Sequence, residues 1–346
     1  MPESILSEPH AKHRLKTLDA FRGIAILAVL LFHFTYRWGP LWPDHRDFYG
    51  FTVNHDWFAQ GKRGVEFFFL ISGFVIFMTL EHCKSWRDFA LRRVARLYPT
   101  YILCMTVTFL LVGRFGLADF HRTANDYLFG LTMLSDEFAV RWIDPVYWSL
   151  LVEIIFYAWI AIIYFGFRRY FLPAWITFCV AAALVALVDP PVASRFFAAS
   201  YLCFFTAGMA FYGVYARRSP IFNAALFATA LALYVGFWMK NSLSANLVIA
   251  ADVGLFALFV GGRLNWLGGG VLGFVGLVSY PLYLLHQFIG VSLIAYLNTT
   301  PALNGWPAVA IAAAIVLALA TGVHYAVELP SQKLVRRNFK RWFAIA

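Results

Sequence analysis

The sequence predicts an all-α polytopic membrane protein of about ten transmembrane helices with both termini in the cytoplasm. Three observations carry this. First, 61% of the chain is hydrophobic and only 13% is charged, with a mean hydropathy of +0.69; soluble domains are about 25% charged. Second, apolar stretches of near bilayer-spanning length recur along the chain at about 20–38, 62–82, 97–114, 145–165, 170–188, 197–215, 220–239, 244–262, 270–297 and 306–327. Third, an even number of spans puts both termini on one side, and the segments on that side hold about two thirds of the 28 Lys and Arg residues, as the positive-inside rule requires of a cytoplasmic side. The net charge of +10 is therefore mostly topological, and nucleic acid is excluded as a partner. The polar N-terminus MPESILSEPHAKHRLK lacks an apolar core and is not read as a cleaved signal peptide. Cys83, Cys104, Cys179 and Cys203 are scattered without a CxxC pair, so neither a disulfide framework nor a metal site is expected.

The first span, LDAFRGIAILAVLLFHFTY (18–36), carries Arg22 and His33 eleven residues apart. That spacing is about 20° past three full turns, so both side chains share a helix face, roughly 16 Å apart along the axis. Ionisable groups inside a span cost about 2.5–3.5 kcal/mol each on insertion scales and usually mark a functional interior. The plain alternatives are an anchoring arginine and a hydrogen-bonded interfacial histidine. A first outer loop with Pro40, Pro43 and Gly50 follows. The second span, GKRGVEFFFLISGFVIFMTL (61–80), contains Glu66 and Ser72. Glu66 either pairs with Lys62 or Arg63, or reaches His33 at the same outer level, fixing its tautomer as a general base requires.

The inner loop HCKSWRDFALRRVARLYPTY (82–101) is the most basic short segment, with Arg92, Arg93 and Arg96 at helical spacing and Pro99 at the start of the third span. Such arginines serve either as topological anchors or as a bidentate phosphate grip. Residues 115–144 form the longest outer loop, whose YLFGLTML core is too short to cross and is expected to lie at the interface or dip back in. The fourth span, PVYWSLLVEIIFYAW, places Ser149, Glu153 and Tyr157 on one face. Glu153 has no cation within a turn in sequence, so its partner is expected from another helix. Spans five to eight read as scaffold, with Asp252 their one internal acid. In GFVGLVSYPLYLLHQFIG (273–290), Ser279, Tyr283 and His286 share a face, and Pro281 is expected to kink the helix. Running outward, this span brings His286 to the outer half, at the level of His33 and Glu153, and His286 is read first as a satisfied structural histidine. The tail VELPSQKLVRRNFKRW begins at Glu328 and ends strongly basic. Nucleotide-loop, HExxH and GxSxG motifs are absent, as is any evident internal repeat.

Five strings in order, LDAFRGIAILAVLLFH (18–33), GVEFFFLISGF (64–74), RRVARLYP (92–99), YWSLLVEIIFY (147–157) and SYPLYLLH (279–286), resemble the integral-membrane acyltransferase-3 family. That family includes bacterial O-acetylases of O-antigen, exopolysaccharide and Nod factor, and macrolide acyltransferases. The resemblance covers essentially the whole chain. Its arginine-to-histidine motif matches Arg22 and His33, its paired-arginine motif Arg93 and Arg96, and its Trp-Ser-Leu…Glu element Trp148, Ser149 and Glu153; many members carry Asp where this chain has Glu66. It implies a cytoplasmic segment over 1–17, an acyltransferase-3-like transmembrane domain over 18–328 and a basic cytoplasmic tail over 329–346. The extra periplasmic esterase-like domain of some members has no counterpart in these residues.

The resemblance also implies a function. Acetyl-CoA or another acyl-CoA is the donor, its phosphates held by Arg93 and Arg96 with help from Arg22, and no metal is required. His33 is the general base on a hydroxyl of a glycan, lipid-linked saccharide or other acceptor at the outer face of a bacterial inner membrane. Glu66 or Glu153 orients the imidazole. Ser149 or Tyr283, with Ser72 and His286 as further candidates, contacts substrate or the developing oxyanion. A covalent acyl-histidine remains the two-step variant. The competing class is a transporter or flippase for a lipid-linked sugar or small metabolite, which uses the same buried charges as a path.

Overall fold

The computed structural model describes residues 9–38 and 56–343. Every regular element among them is helical: α1 (Pro9–Phe32), α2 (Gly64–Glu81), α3 (Trp86–Phe115), α4 (Ala124–Gly130), α5 (Trp148–Gly166), α6 (Phe171–Val188), α7 (Pro190–Phe197), α8 (Leu202–Tyr215), α9 (Pro220–Phe237), α10 (Leu243–Val260), α11 (Gly270–Leu277), α12 (Ser279–Leu297), α13 (Trp306–Val323) and α14 (Leu329–Phe343). Short 3₁₀ turns join several of them, and two π turns, His33–Arg37 and His324–Glu328, extend α1 and α13. Among the described residues nine helices are long and apolar enough to span a bilayer. A tenth is reached if α7 and the Ala199–Tyr215 segment, bent by 68°, count as one broken span. The chain is thus a multi-pass integral membrane protein, as its composition predicts. The first outer loop expected at 39–61 lies largely outside the described residues.

Three boundaries differ from the sequence reading. The third span begins at Trp86 and not near 97, because α3 carries Pro99 in its interior. Proline at 99 leaves the carbonyl of Ala95 without its helical donor, and Ser331 Oγ donates to that carbonyl at 3.2 Å. The helix continues because the orphaned acceptor is satisfied from elsewhere. The sixth span is a 14-residue helix preceded by a bend at Ala198, which has φ 48°. The ninth span starts at Ser279, after a break at Val278 that separates α11 from α12. Pro281 sits in the first turn of α12, where no intrahelical donor is required, so it starts the helix and does not kink it.

The described helices form two compact units. One takes residues 9–25, 63–89 and 150–274, the other 26–38, 56–62, 90–149 and 275–343. In the first unit α2 packs closely against α8. A Cβ at Gly73 would collide with the carbonyl of Phe205, and one at Gly208 with that of Leu70, so the two glycines let the backbones touch. Phe21, Phe67, Phe74, Phe256 and Phe259 interlock beside them in tilted and edge-to-face pairs. Helices α7, α9 and α10 begin at Asp189, Ser219 and Ser242, each of which accepts a backbone N–H within its own first turn.

In the second unit α12 packs against α13. The 115–144 segment, expected to lie at the interface or dip back in, folds around α4. A capping box between Thr123 and Asp126 closes the helix start, and Asp126 also accepts the N–H of Arg141 at 3.0 Å. Burial raises the Asp126 carboxyl, but the Thr123 and Arg141 donors outweigh it and hold the group below its ordinary range. Tyr101 donates to the carbonyl of Gly130 at 2.8 Å, and Tyr98 to that of Leu131, fastening this segment to α3.

Candidate active site

His33 opens a π turn. The hydroxyl of Thr35 donates back to Leu31 O at 2.6 Å, and His33 Nδ1 lies 2.9 Å from Val29 O. Two side-chain groups thus compete for i−4 carbonyls inside one turn. Such back-bonding loosens the α ladder, and π bulges of this kind concentrate at functional sites. Phe34 is buried in the space left by Gly290 on α12, where any Cβ would overlap its ring.

Across this junction His286 Nε2 lies 3.0 Å from His33 Nδ1, with the rings 4.9 Å apart at 62°. His286 is fully buried, and its Nδ1 lies 2.8 Å from Tyr283 O. His33 is half-buried, and among the described residues no group bonds its Nε2.

The turn that carries His286 is held on both sides. Tyr147 donates its hydroxyl to Leu284 O at 3.0 Å. The N–H of Phe288 donates to Asp144 Oδ2 at 2.9 Å, while the other oxygen of Asp144 accepts from Val146 N at 3.2 Å. Burial pushes the Asp144 carboxyl up to about 7, against the pull of the Phe288 and Val146 N–H groups and the Arg122 charge. The 115–144 segment presses on the same place: Phe120 stacks on Phe288 at 3.9 Å, with the Arg122 guanidinium 4.9 Å over that ring.

Ser149 and Tyr283, the two alternatives for an oxyanion donor, come together. Their hydroxyls are 2.8 Å apart, and each lies within hydrogen-bonding distance of Val146 O, at 3.1 and 3.0 Å. The carboxylates expected beside His33 belong to the other unit. There Glu66 meets Arg63 at 3.0 Å, the first of the two readings left open by the sequence. Glu153 receives the hydroxyl of Ser72 at 2.5 Å and that of Tyr157, so its partners do include another helix, but as hydroxyls and not a cation. Arg22, in the same unit, is bonded to Asp19 at 2.7 Å. Arg93 and Arg96 stand half-buried on one side of α3, flanking Ala95, the residue whose carbonyl Ser331 caps.

Asp144 and Tyr147 are the site residues that the sequence reading passed over. Asp144 had a signal, since Asp-Pro is a helix-start dipeptide. Its second bond, to an N–H in the middle of another helix, had none. The sequence put His286 at the level of His33, but the bond between two rings 253 residues apart was not legible.

Comparison with known proteins identifies a family. The acyltransferase-3 family, described as an acyltransferase domain, matches residues 15–325. The O-acetyltransferase OatA of Staphylococcus aureus (strain NCTC 8325 / PS 47) is 26% identical over 115 residues, which are 31% of this chain and 16% of that protein. The putative peptidoglycan O-acetyltransferase YrhL of Bacillus subtilis (strain 168) is 27% identical over 125 residues, 34% of this chain and 17% of that protein. The chain therefore aligns with about one sixth of the length of these relatives. No solved structure matches. With the family match running from ahead of Arg22 to beyond His286, this chain belongs to the acyltransferase-3 family.

Proposed function

We propose that the chain is a membrane-bound O-acyltransferase that moves an acyl group, acetyl in the first instance, from acyl-CoA to a hydroxyl of a glycan or related acceptor, with His33 as general base. The observation that carries this is the imidazole of His33: held at Nδ1 by Val29 O and His286, half-buried, and with Nε2 bonded by no group among the described residues. A base needs a fixed ring and one available lone pair. In the reaction, Nε2 takes the proton of the acceptor hydroxyl as its oxygen attacks the thioester carbonyl. The tetrahedral intermediate expels CoA as thiolate, and the imidazolium returns its proton to the sulfur. Of the neighbouring hydroxyls, Ser149 and Tyr283 are the candidate oxyanion donors, once one of them turns from Val146 O.

Arg93 and Arg96 supply the chemistry that CoA phosphates require, two guanidinium groups on one helical turn. The excess of cations on one side supports docking of the donor from the cytoplasm of a bacterial inner membrane. The names of the relatives favour acetyl as the group and a glycan such as peptidoglycan as the acceptor class. Family membership favours the transferase over the transporter that the sequence left open.

The test is acetyl-CoA binding and thiol release by purified protein in detergent. Wild type is expected to do both. Arg93→Ala/Arg96→Ala is expected to lose binding, and His33→Ala to bind without releasing thiol. A wild type that does not bind acetyl-CoA, or a His33→Ala variant of normal turnover, overturns the reading.

A further inference from the structure

We propose that His286 is a positioning residue that locks His33 in the tautomer with its lone pair on Nε2. The inference rests on the reading of His33 as a base and assigns that base a partner.

The argument uses only which atoms can donate. Val29 O and Tyr283 O are carbonyl oxygens and can only accept. His33 Nδ1, 2.9 Å from Val29 O, must therefore carry a proton to bond it. His286 Nδ1, 2.8 Å from Tyr283 O, must carry one for the same reason. A neutral His286 then has its lone pair on Nε2, which lies 3.0 Å from His33 Nδ1. Both acceptors around His33 Nδ1 thus demand the same proton in the same place, and the only nitrogen left with a lone pair is His33 Nε2. The set closes without any charge. In water a neutral imidazole prefers its proton on Nε2, so the observed arrangement has to be imposed by the surroundings.

The two acceptors are not equally placed to do this. Val29 O also lies in the helical ladder from which the π turn departs. His286 has no such competing role: it is fully buried, and its turn is fastened by Tyr147 at Leu284 O and by Asp144 at Phe288 N–H. The ring is held from both sides with its acceptor nitrogen aimed at His33. When His33 takes a proton, the Nδ1–H bond to His286 becomes charge-assisted and shortens. His286 therefore favours the protonated intermediate over the resting base without touching substrate.

Three substitutions separate an acceptor from a space-filler. His286→Gln keeps a side-chain oxygen able to accept from His33 Nδ1–H. His286→Leu and His286→Met fill the cavity without an acceptor. The full-length proteins are compared in detergent by thiol release from acetyl-CoA and by ¹⁵N NMR of histidine-labelled protein, with the His33 signals identified by their loss in His33→Ala. In wild type the His33 signals should report a protonated Nδ1 and a bare Nε2; the Leu or Met variant should shift them towards the opposite tautomer. Turnover at saturating acetyl-CoA should fall about 100-fold or more with the KM for acetyl-CoA within about threefold. His286→Gln should restore at least a tenth of wild-type turnover. Equal losses in Gln and in the folded apolar variant, or a wild-type His33 protonated at Nε2, overturn the lock. So does an apolar variant with the altered tautomer and undiminished turnover. If His33→Ala itself turns over normally, the base assignment is what fails, whereas an inactive His33→Ala beside a fully active His286→Leu refutes His286 alone.

Discussion

Two π turns in the same unit open with a histidine, and they do different things. At His33–Arg37 the histidine is half-buried and its Nδ1 faces neutral acceptors. At His324–Glu328 the histidine is 5% exposed, and its Nδ1 lies 2.7 Å from the carboxylate of Glu328, to which the amide of Gln332 also points at 3.4 Å. The local backbone is alike; the partner decides. A carboxylate one turn on ties up the imidazole as half of a buried pair, whereas a neutral imidazole partner orders the ring and leaves its far nitrogen open. The turns also have different origins. Pro330 lacks the N–H that would bond Ala326 O and crowds that carbonyl, so the chain widens ahead of it. The first turn has no proline, and it arises from the hydroxyl of Thr35 and the ring of His33 reaching back to i−4 carbonyls.

The largest expected effect comes from removing each histidine in turn. His33→Ala should lower turnover of acetyl-CoA by about a thousandfold or more, in the upper range of a lost general base, with the melting temperature little changed. His324→Ala should do the reverse. It leaves Glu328, 5% exposed, with the long bond from the Gln332 amide, and losing a buried hydrogen bond to such a group costs about 1–3 kcal/mol. The melting temperature should therefore fall by several degrees while turnover of the folded fraction stays within about tenfold of wild type, the small effect expected of a residue remote from the chemistry. Melting followed by intrinsic fluorescence, paired with thiol release, reads both axes. Turnover lost in a His324→Ala protein of unchanged melting would put the second turn in the catalytic machinery and break the comparison.

An intermediate effect is expected at Asp144, which holds the turn of His286 and has no bond to the second π turn. Its carboxyl is pushed up to about 7 by burial, above the value of about 4 in an unfolded chain. The folded state therefore binds this proton more tightly. The stability it contributes is complete below about pH 4 and is lost as the pH rises through about 7. Asp144→Asn does not titrate, and it sets an amide N–H₂ against one of the two backbone donors, costing about 1–3 kcal/mol. The melting temperature of wild type should exceed that of Asp144→Asn most at pH 5, with the gap narrowing by pH 8. A gap that widens with pH reverses the sign and refutes the assignment of the raised carboxyl. Turnover should fall with it, because His286 loses one of its two fastenings.

The fold was largely legible, because bilayer length and hydropathy dictate most of it. One boundary moved where a backbone group found a distant partner: α3 runs through Pro99, and the carbonyl that the proline strands, Ala95 O, accepts from Ser331, 236 residues away. The candidate site was legible as a set of residues and not as a set of bonds. Arg22, His33, Glu66, Glu153, Ser149, Tyr283 and His286 could be picked out as polar groups in apolar runs. Helical periodicity tells which side chains share a face of one helix, and it is silent about which face meets which. Glu66 and Glu153 thus read as partners for an imidazole; within their own unit the one bonds Arg63 and the other the hydroxyls of Ser72 and Tyr157. His286 read as structural because a satisfied structural histidine is the commoner outcome for such a residue, although its span brought it to the level of His33.

The smallest effect is also the sharpest test of how the first turn is made. Thr35 and Thr321 each donate a hydroxyl to the carbonyl four residues back, Leu31 O at 2.6 Å and Leu317 O at 2.7 Å. Thr35 lies inside its π turn, while Thr321 precedes the second one by three residues. Valine is nearly isosteric with threonine and lacks the donor, so either change removes one hydrogen bond worth about 1 kcal/mol. Removing it at Thr35 takes away half of the competition for i−4 carbonyls, so the turn relaxes towards the α ladder and His33 swings relative to His286. Thr35→Val should therefore lower turnover severalfold at an unchanged KM for acetyl-CoA. Thr321→Val should leave turnover alone, because Pro330 still widens the second turn and the His324 imidazole is taken up by Glu328. Equal turnover in the two variants would mean that the first turn is set by Phe34 wedged against Gly290, and not by the threonine.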